Sequence, residues 1–113
     1  MQLNEIVVQC MDDSRDWFPD RVGDLGYLTI CMVGETGEFA NLVKKGMRGD
    51  VPDGLNNPAY QADLAFELTD VLIYLGNIAG EMGWDLEELY KMKREKNVDR
   101  FTRRNDGVNG EVQ

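Results

Sequence analysis

Four acidic residues have the spacing expected of a binding site for a divalent cation. Glu35 and Glu38 are three residues apart in one helical pattern, and Glu67 and Asp70 repeat that spacing in another. Residues three apart on an α-helix are about 60° and 4.5 Å from one another, so both carboxylates of a pair point the same way. Like charges at the edge of a core destabilise a protein unless a positive charge lies between them. Two facing pairs would therefore form a cage of oxygen ligands for a hard cation.

Acidic residues three apart are common in a chain with 21 aspartates and glutamates among 113 residues. Either pair alone is explained as well by a solvated helix face. The other pairs with this spacing fall in predicted loops or at a helix N-cap: Asp13/Asp16, Asp50/Asp53 and Asp85/Glu88. Only the first two pairs lie in the middle of helices beside apolar residues, and together they favour a metal site.

Composition limits the chemistry that the chain can perform. The formal net charge is −9 and there is no histidine. The charge disfavours nucleic acid as a partner, since no stretch clusters basic and aromatic residues. Without histidine, zinc chemistry and imidazole catalysis are largely excluded, so a general base must be a carboxylate. An anionic ligand such as a nucleotide would need metal ions to mediate its binding.

The two cysteines and the hydrophobic runs indicate the cellular context. Cys10 and Cys31 each lie in an apolar helical pattern, which is typical of small buried side chains rather than of a disulfide framework. No apolar run approaches the roughly 20 residues of a membrane span, and no signal segment is recognisable. We expect a protein of the reducing cytoplasm with no membrane association.

Hydrophobic periodicity predicts an all-α domain of four helices over residues 1–101, followed by a polar tail, 102–113. The predicted helices span 3 to about 13, about 25–46, 58–82, and a fourth that begins after Asp85. Asp24 and Asn57 are the expected N-caps, and Gly83 the expected end of the third helix. The apolar face expected to pack in that helix consists of Leu64, Leu68, Val71, Leu75, Ile78 and Met82.

Two loops are expected beside these helices. Pro19 disfavours helix at Phe18, so 12–20 is predicted to be a loop that presents Arg15 and Trp17. Trp17 could cover the core or offer a flat surface on which a base stacks. The second loop, 46–58, is rich in glycine and proline and could fold over a ligand.

The later half of the fourth helix has a polar face. Lys93, Asn97 and Arg100 recur at spacings of four and three residues. This face is either an ordinary exposed surface or a binding site for phosphate.

Three segments together resemble a known family. GETGEFANLVKK at 34–45, ELTDVLIYLGNIAGEMGWDLEELYKMKREKNVDRF at 67–101 and the upstream RDW at 15–17 are similar to the MazG-type, all-α nucleoside triphosphate pyrophosphohydrolases. The hallmark is Glu-x-x-Glu, a spacer, then Glu-x-x-Asp, and the spacer here is long for the family. RDW resembles the dCTP pyrophosphatase branch, but the histidine that often follows it there is missing, which leaves the preferred base open.

The resemblance implies a four-helix bundle that is completed by dimerisation. It also implies an enzyme that converts a nucleoside triphosphate and water into nucleoside monophosphate and pyrophosphate. It implies that Glu35, Glu38, Glu67 and Asp70 bind Mg²⁺, with Mn²⁺ as a substitute. It also implies that a cage carboxylate, Glu38 first among them, activates the water. The remaining roles that it implies concern the substrate: Trp17 stacks on the base, Asn97 orients phosphate or ribose, Lys93 and Arg100 stabilise the leaving pyrophosphate, and Arg15 belongs to the same binding region.

Self-association is also expected, and two alternative functions remain open. Such proteins usually self-associate, so a homodimer or a dimer of dimers is expected. A related enzyme acting on phosphoribosyl-ATP or dUTP is one alternative. A helical module that binds nucleotide or metal without catalysis is the other.

Overall fold

The computed structural model of the protein describes residues 1–20 and 24–107, with side chains as far as residue 103. This part of the chain forms four α-helices and one short 3₁₀ helix, and it contains no strand. The α-helices are α1 (Leu3–Trp17), α2 (Leu25–Met47), α3 (Pro58–Met82) and α4 (Leu86–Gly107), with the 3₁₀ helix at Gly54–Asn56. The predicted all-α fold is confirmed. Among these helices, none combines the length and the apolar character required to cross a membrane.

The chain divides into two compact units, Met1–Gly83 and Trp84–Gln113. The first contains α1, α2 and α3, and the second contains α4. The Asp85 side chain accepts a hydrogen bond from the Glu88 backbone N–H at 3.0 Å, so the predicted cap of α4 is present. Helix α4 continues to Gly107, beyond Phe101, where the predicted domain ends. The last residues of the predicted tail, 108–113, lie outside the described part of the chain.

Local capping signals set the ends of α2 and α3. The side chain of Asp24 accepts a hydrogen bond from Tyr27 N–H at 2.9 Å, and Asn57 accepts one from Tyr60 N–H at 3.0 Å. Each bond satisfies a backbone donor that the first helical turn leaves unpaired. Gly83 ends α3 in the left-handed conformation, with φ of 70°, which glycine adopts without strain. These three predicted boundaries are confirmed.

Helices α2 and α3 pack antiparallel. The Tyr60 hydroxyl donates a 2.6 Å hydrogen bond to the Leu42 carbonyl, which joins the start of α3 to the last third of α2. Side-chain hydrogen bonds also organise the connection between them, from Asn57 to the Pro52 carbonyl and from Gln61 to the Leu55 carbonyl. The connection predicted as a loop therefore includes a 3₁₀ helix and is held against both helices.

Helix α1 is longer than predicted. It runs to Trp17, so Arg15 and Trp17 lie in its last turn and not in a loop. A proline restricts mainly the residue before it, and Phe18 is the residue at which the chain leaves helical geometry, with φ of −136° and ψ of 61°. The prediction of a loop over 12–20 is therefore wrong for residues 12–17.

Two glycines of α3 allow α1 to approach closely. A Cβ built at Gly76 would lie 3.1 Å from Cys10 Sγ, and one built at Gly80 would collide with Met11 Cγ and lie 2.7 Å from its Sδ. Val7, Cys10 and Met11 of α1 are all buried. The α1–α3 contact thus depends on the absence of side chains at Gly76 and Gly80.

The packed face of α3 differs from the predicted one. Ile78 is buried, but Leu68, Leu75 and Met82 are 53 %, 40 % and 42 % exposed. The side chains that are buried or half-buried along α3 include a polar series at spacings of three and four residues: Glu67, Asp70, Tyr74, Asn77 and Glu81. Periodicity locates an apolar stripe but does not identify the neighbour that covers it, so the prediction was wrong for Leu68, Leu75 and Met82.

We predict that Gly80→Val destabilises the protein while Gly34→Val does not. Valine at Gly80 would overpack the Met11 contact, at an expected cost of about 1–3 kcal/mol. Nothing lies within 4 Å of the Cβ position at Gly34, which is also inside a helix and is the matched control. Urea unfolding followed by circular dichroism measures both variants. Equal stability of the two would contradict the close α1–α3 contact.

Candidate metal centre and the adjoining cavity

Three of the four predicted metal ligands converge in the structure. Each of Glu35, Glu38 and Glu67 places a carboxylate oxygen within 4.8 Å of the other two. Glu35 and Glu38 come from α2 and Glu67 from α3, so the antiparallel packing of these helices creates the cluster. We call these three side chains the carboxylate cluster.

The carboxylate cluster has no protein counter-ion in the described part of the chain. Ion pairs there join Arg48 to Asp50 and Arg103 to Asp99, and none reaches the cluster. Two of its oxygens, Glu35 Oε2 and Glu67 Oε2, are buried without a hydrogen-bond partner. Buried charge without a partner is strongly unfavourable, so these oxygens need a proton or a cation.

The pKa values of the cluster reflect the same lack of a positive counter-charge. Burial, followed by the charges of Glu38 and Asp70, raises the pKa of Glu35 from 4.5 to about 7. Burial and the charges of Glu38 and Asp70 also raise the pKa of Glu67. Both carboxyl groups are therefore harder to ionise than ordinary glutamates. A divalent cation would reverse this effect by favouring the ionised form.

The donor set suits a hard cation. All the available ligand atoms are carboxylate oxygens, the type that Mg²⁺ and Mn²⁺ prefer, and neither sulfur nor imidazole takes part. The two orphaned oxygens on facing helices supply positions that a cation could satisfy. The residues present therefore fit Mg²⁺.

Asp70, the fourth predicted ligand, lies in the wall of a cavity that Glu35 of the cluster also lines. A cavity of about 290 Å³ is lined by Glu35 and Asp70 together with residues of α1 and the next turns of α3. Asp70 is half-buried, and its charge contributes to the raised pKa of both Glu35 and Glu67. Its carboxylate is thus electrostatically part of the site, although it is not one of the three whose oxygens converge most closely.

Aromatic side chains form one edge of this cavity. Trp17 and Phe18 line it and are 68 % and 58 % exposed. Trp17 therefore does not cover the core, which was one of its two predicted roles. Exposed aromatic rings at the entrance of a cavity offer surfaces for stacking a flat ligand.

Tyr74 and Cys31 extend the polar contact between α2 and α3. Burial and the neighbouring Cys31 raise the pKa of Tyr74 to about 12, so its hydroxyl keeps its proton at neutral pH. Tyr74 lines the cavity as a hydrogen-bond donor beside the carboxylates. Cys10 is a buried free thiol, as predicted, and burial and the charge of Asp13 raise its pKa. Cys31 is also a free thiol but is only half-buried, so the prediction that it is buried was wrong.

Tyr74 and Asn77 were not among the predicted site residues. They follow Asp70 by four and seven residues, and so continue the face of α3 that begins with Glu67. That spacing was the available signal. It was missed because the apolar residues of the same helix were expected to occupy the packed face.

The other predicted binding residues lie elsewhere on the helices. Arg15 is exposed in the last turn of α1 and does not line the cavity. Lys93, Asn97 and Arg100 lie on α4 in the second unit, with Lys93 and Arg100 exposed and Asn97 half-buried. Their roles toward a substrate remain predictions.

Comparison with known proteins found a similar protein from a bacteriophage. The Gene 37 protein of Mycobacterium phage L5 is 40 % identical to this chain over 63 residues, which is 56 % of this chain and 54 % of the phage protein. The chain therefore matches about half the length of that relative, whose name states no activity. No family model matches the chain, and no solved structure matches it.

We predict that the metal-free protein loses stability as the pH rises from 5 to 8. The folded protein holds a proton on Glu35 with a pKa of about 7, against 4.5 as the ordinary value. The stabilisation is complete below about pH 4.5 and is lost as the pH rises through 7. Thermal unfolding in EDTA measures this change. Glu35→Gln, which cannot ionise, should show a smaller drop than the parent protein.

The control for this prediction is Asp63→Asn, an exposed acidic position one turn before Glu67 on α3. It should retain the pH dependence of the parent protein. If Glu35→Gln and Asp63→Asn behave alike, Glu35 is not the titrating group.

Proposed function

We propose that this chain is a Mg²⁺-dependent nucleoside triphosphate pyrophosphohydrolase of the MazG type. The reaction converts a ribo- or deoxyribonucleoside triphosphate and water into the monophosphate and pyrophosphate. One observation carries the proposal. Three carboxylates from two helices converge, with two buried oxygens that lack a partner, beside a cavity edged by exposed aromatic rings.

The carboxylates divide into two kinds by exposure. Glu35 and Glu67 are half-buried and each contributes one unpartnered buried oxygen, so we assign them as metal ligands, together with Asp70 from the cavity wall. Glu38 is exposed, so water reaches it. Bound Mg²⁺ would neutralise the polyphosphate and polarise its oxygens, which offsets the repulsion from a chain with net charge −9.

Glu38 is the proposed general base. It would accept a proton from a water molecule, whose oxygen forms a bond to the α-phosphorus. The bond between the α-phosphorus and the oxygen that bridges to the β-phosphorus breaks, and pyrophosphate leaves with the electron pair. The raised pKa of Glu35 does not make it the better base, since a bound cation would lower that pKa again.

The remaining roles concern the two ends of the substrate. Trp17 would stack on the base at the open edge of the cavity. Lys93 and Arg100 would stabilise the departing pyrophosphate, and Asn97 would orient phosphate or ribose. Arg15 is exposed near Trp17 and would contact the substrate only outside the cavity.

The cavity also helps to distinguish the proposed function from the alternative functions. A site for metal alone would need no aromatic edge, so the position of Trp17 and Phe18 supports a ligand with a flat ring. A phosphoribosyl-ATP or dUTP enzyme would share the carboxylate cluster and differ in the products of a substrate panel. A sensor would be stabilised by nucleotide and Mg²⁺ but would release no pyrophosphate.

We predict that the protein with Mg²⁺ releases pyrophosphate from at least one member of a panel of nucleoside triphosphates that includes phosphoribosyl-ATP and dUTP. Glu67→Gln should lower turnover by about 10²-fold or more, because it removes a negative ligand from the cluster. Mn²⁺ should partly replace Mg²⁺. The measurement is a coupled assay for pyrophosphate, with circular dichroism to confirm the fold.

The matched control is again Asp63→Asn, which removes one negative charge from the same helix outside the cluster. It should retain parental turnover. Hydrolysis by Glu67→Gln at the parental rate would exclude the assignment of the metal site.

We also propose that the protein forms a homodimer or a dimer of dimers. Leu68 and Leu75 are exposed on α3 and seven residues apart, so they lie on one side of the helix. Val8 is exposed on α1 and so lies outside this side of α3. A small helical protein gains stability by covering such surface with a second copy.

Sedimentation velocity at micromolar concentration tests the assembly. We predict that the parent protein sediments as a dimer or tetramer and that Leu75→Arg shifts it toward the monomer. Val8→Arg, which adds the same charge at another exposed apolar position, is the control and should not. A parent protein that sediments as a monomer would refute self-association.

A further inference from the structure

Among the residues with described side chains, Asn77 is the one polar residue that is buried as a whole; the glutamates with a buried oxygen are half-buried. Asn77 is 3 % exposed, and its Oδ1 has no hydrogen-bond partner. It lines the same cavity as Trp17, Phe18 and Asp70. An unpaired buried amide destabilises a fold, and an apolar residue at this position would avoid that penalty. Asn77 therefore points to a ligand that supplies the missing partner.

The position of Asn77 suits one end of a nucleotide. It follows Asp70 by seven residues on the same face of α3, or about 10 Å along the helix axis. Asp70 and Glu35 form the acidic part of the cavity, while Trp17 and Phe18 form its aromatic edge. Asp70, Trp17 and Asn77 all line this one cavity, so a nucleotide that fills it meets all three side chains.

A carboxamide recognises a particular pattern of groups. It presents one acceptor and one donor side by side, and a half-turn about its last bond exchanges their positions. A nucleobase edge with a donor beside an acceptor pairs with both groups, as asparagine does with adenine in other contexts. The rings of Trp17 and Phe18 provide stacking but cannot distinguish one base from another.

We propose that Asn77 is a specificity-determining residue that reads the hydrogen-bonding edge of the nucleotide base. The inference rests on the proposed function for the presence of a nucleotide, but it concerns a different part of the site. The carboxylate cluster binds the phosphates through the cation, whatever the base. Asn77 makes the affinity depend on the base.

The experiment compares Asn77→Leu and Asn77→Ser with the parent protein. Binding of α,β-imido analogues of the four common deoxynucleoside triphosphates is measured with Mg²⁺ by calorimetry. The parent protein should prefer one base or one pair of bases. Both variants should lose that preference through a decrease of about 10- to 100-fold in affinity for the preferred analogue, the range expected for a bidentate contact to a base.

Glu81→Leu is the matched control. Glu81 lies one turn further along α3, also has a buried oxygen without a partner, and does not line the cavity. Its replacement should leave the base preference unchanged. A loss of preference in Glu81→Leu equal to that in Asn77→Leu would overturn the proposal, because the effect would then be a general change of packing.

A second measurement separates base recognition from phosphate binding. Hydrolysis of 2-deoxyribose 5-triphosphate, which has no base, should be the same in the parent protein and in Asn77→Ser. An equal decrease in hydrolysis of this compound and of the preferred nucleotide would overturn the proposal, since Asn77 would then act on the phosphates or the fold.

The outcomes also distinguish this inference from the proposed function. Hydrolysis of nucleotides with a base preference that survives in both Asn77 variants supports the proposed function and rejects a role for Asn77. Analogue binding with a preference that depends on Asn77, without hydrolysis of any nucleotide, supports the role of Asn77 and rejects the enzyme. If no analogue binds, both are rejected.

Discussion

Repulsion among carboxylates between α2 and α3 is the constraint on which the rest of the structure depends. Oxygens of Glu35, Glu38 and Glu67 lie within 4.8 Å of one another, and no lysine or arginine in the described residues compensates them. The protein can relieve the repulsion by holding a proton, and burial together with this repulsion raises the pKa of Glu35 to about 7. It can also do so by binding a cation. A cation bound there would therefore compete with protons for the same oxygens.

The architecture of the first unit serves this arrangement. The hydrogen bond from Tyr60 to the Leu42 carbonyl fixes the antiparallel register of α2 and α3 about two turns from the cluster. Gly76 and Gly80 allow α1 to pack closely against α3, and the last turn of α1 then places Trp17 at the cavity. Helix α3 is thus the common element. It carries a carboxylate of the cluster, the residues that line the cavity and the glycines that receive α1.

Much of this fold could be predicted from signals that act within a few residues. The features that depend on contacts between distant parts of the chain could not. Asp24, Asn57 and Gly83 act within one helical turn, so the ends of α2 and α3 could be predicted. The two acidic pairs could be predicted to face each other because antiparallel helices of this length bring them level. The exposure of Leu68 and Leu75 could not, since it depends on which neighbours α3 has. The length of α1 was missed because the effect of Pro19 was extended to residues that a proline does not restrict.

The polar face of α3 is the strongest argument that the site is functional. If folding were the only requirement, leucine at Asn77 and at the cluster positions would pack without the penalty of unpaired buried groups. The chain instead turns Glu67, Asp70, Tyr74 and Asn77 toward α1 and α2 and leaves Leu68 and Leu75 exposed. This arrangement lowers the stability of the isolated chain in two ways. First, it leaves buried polar groups without partners, and second, it exposes apolar side chains to water. A ligand that binds the folded state would recover the first loss, because its cation and its hydrogen-bonding groups would complete the interior that the protein leaves unsatisfied.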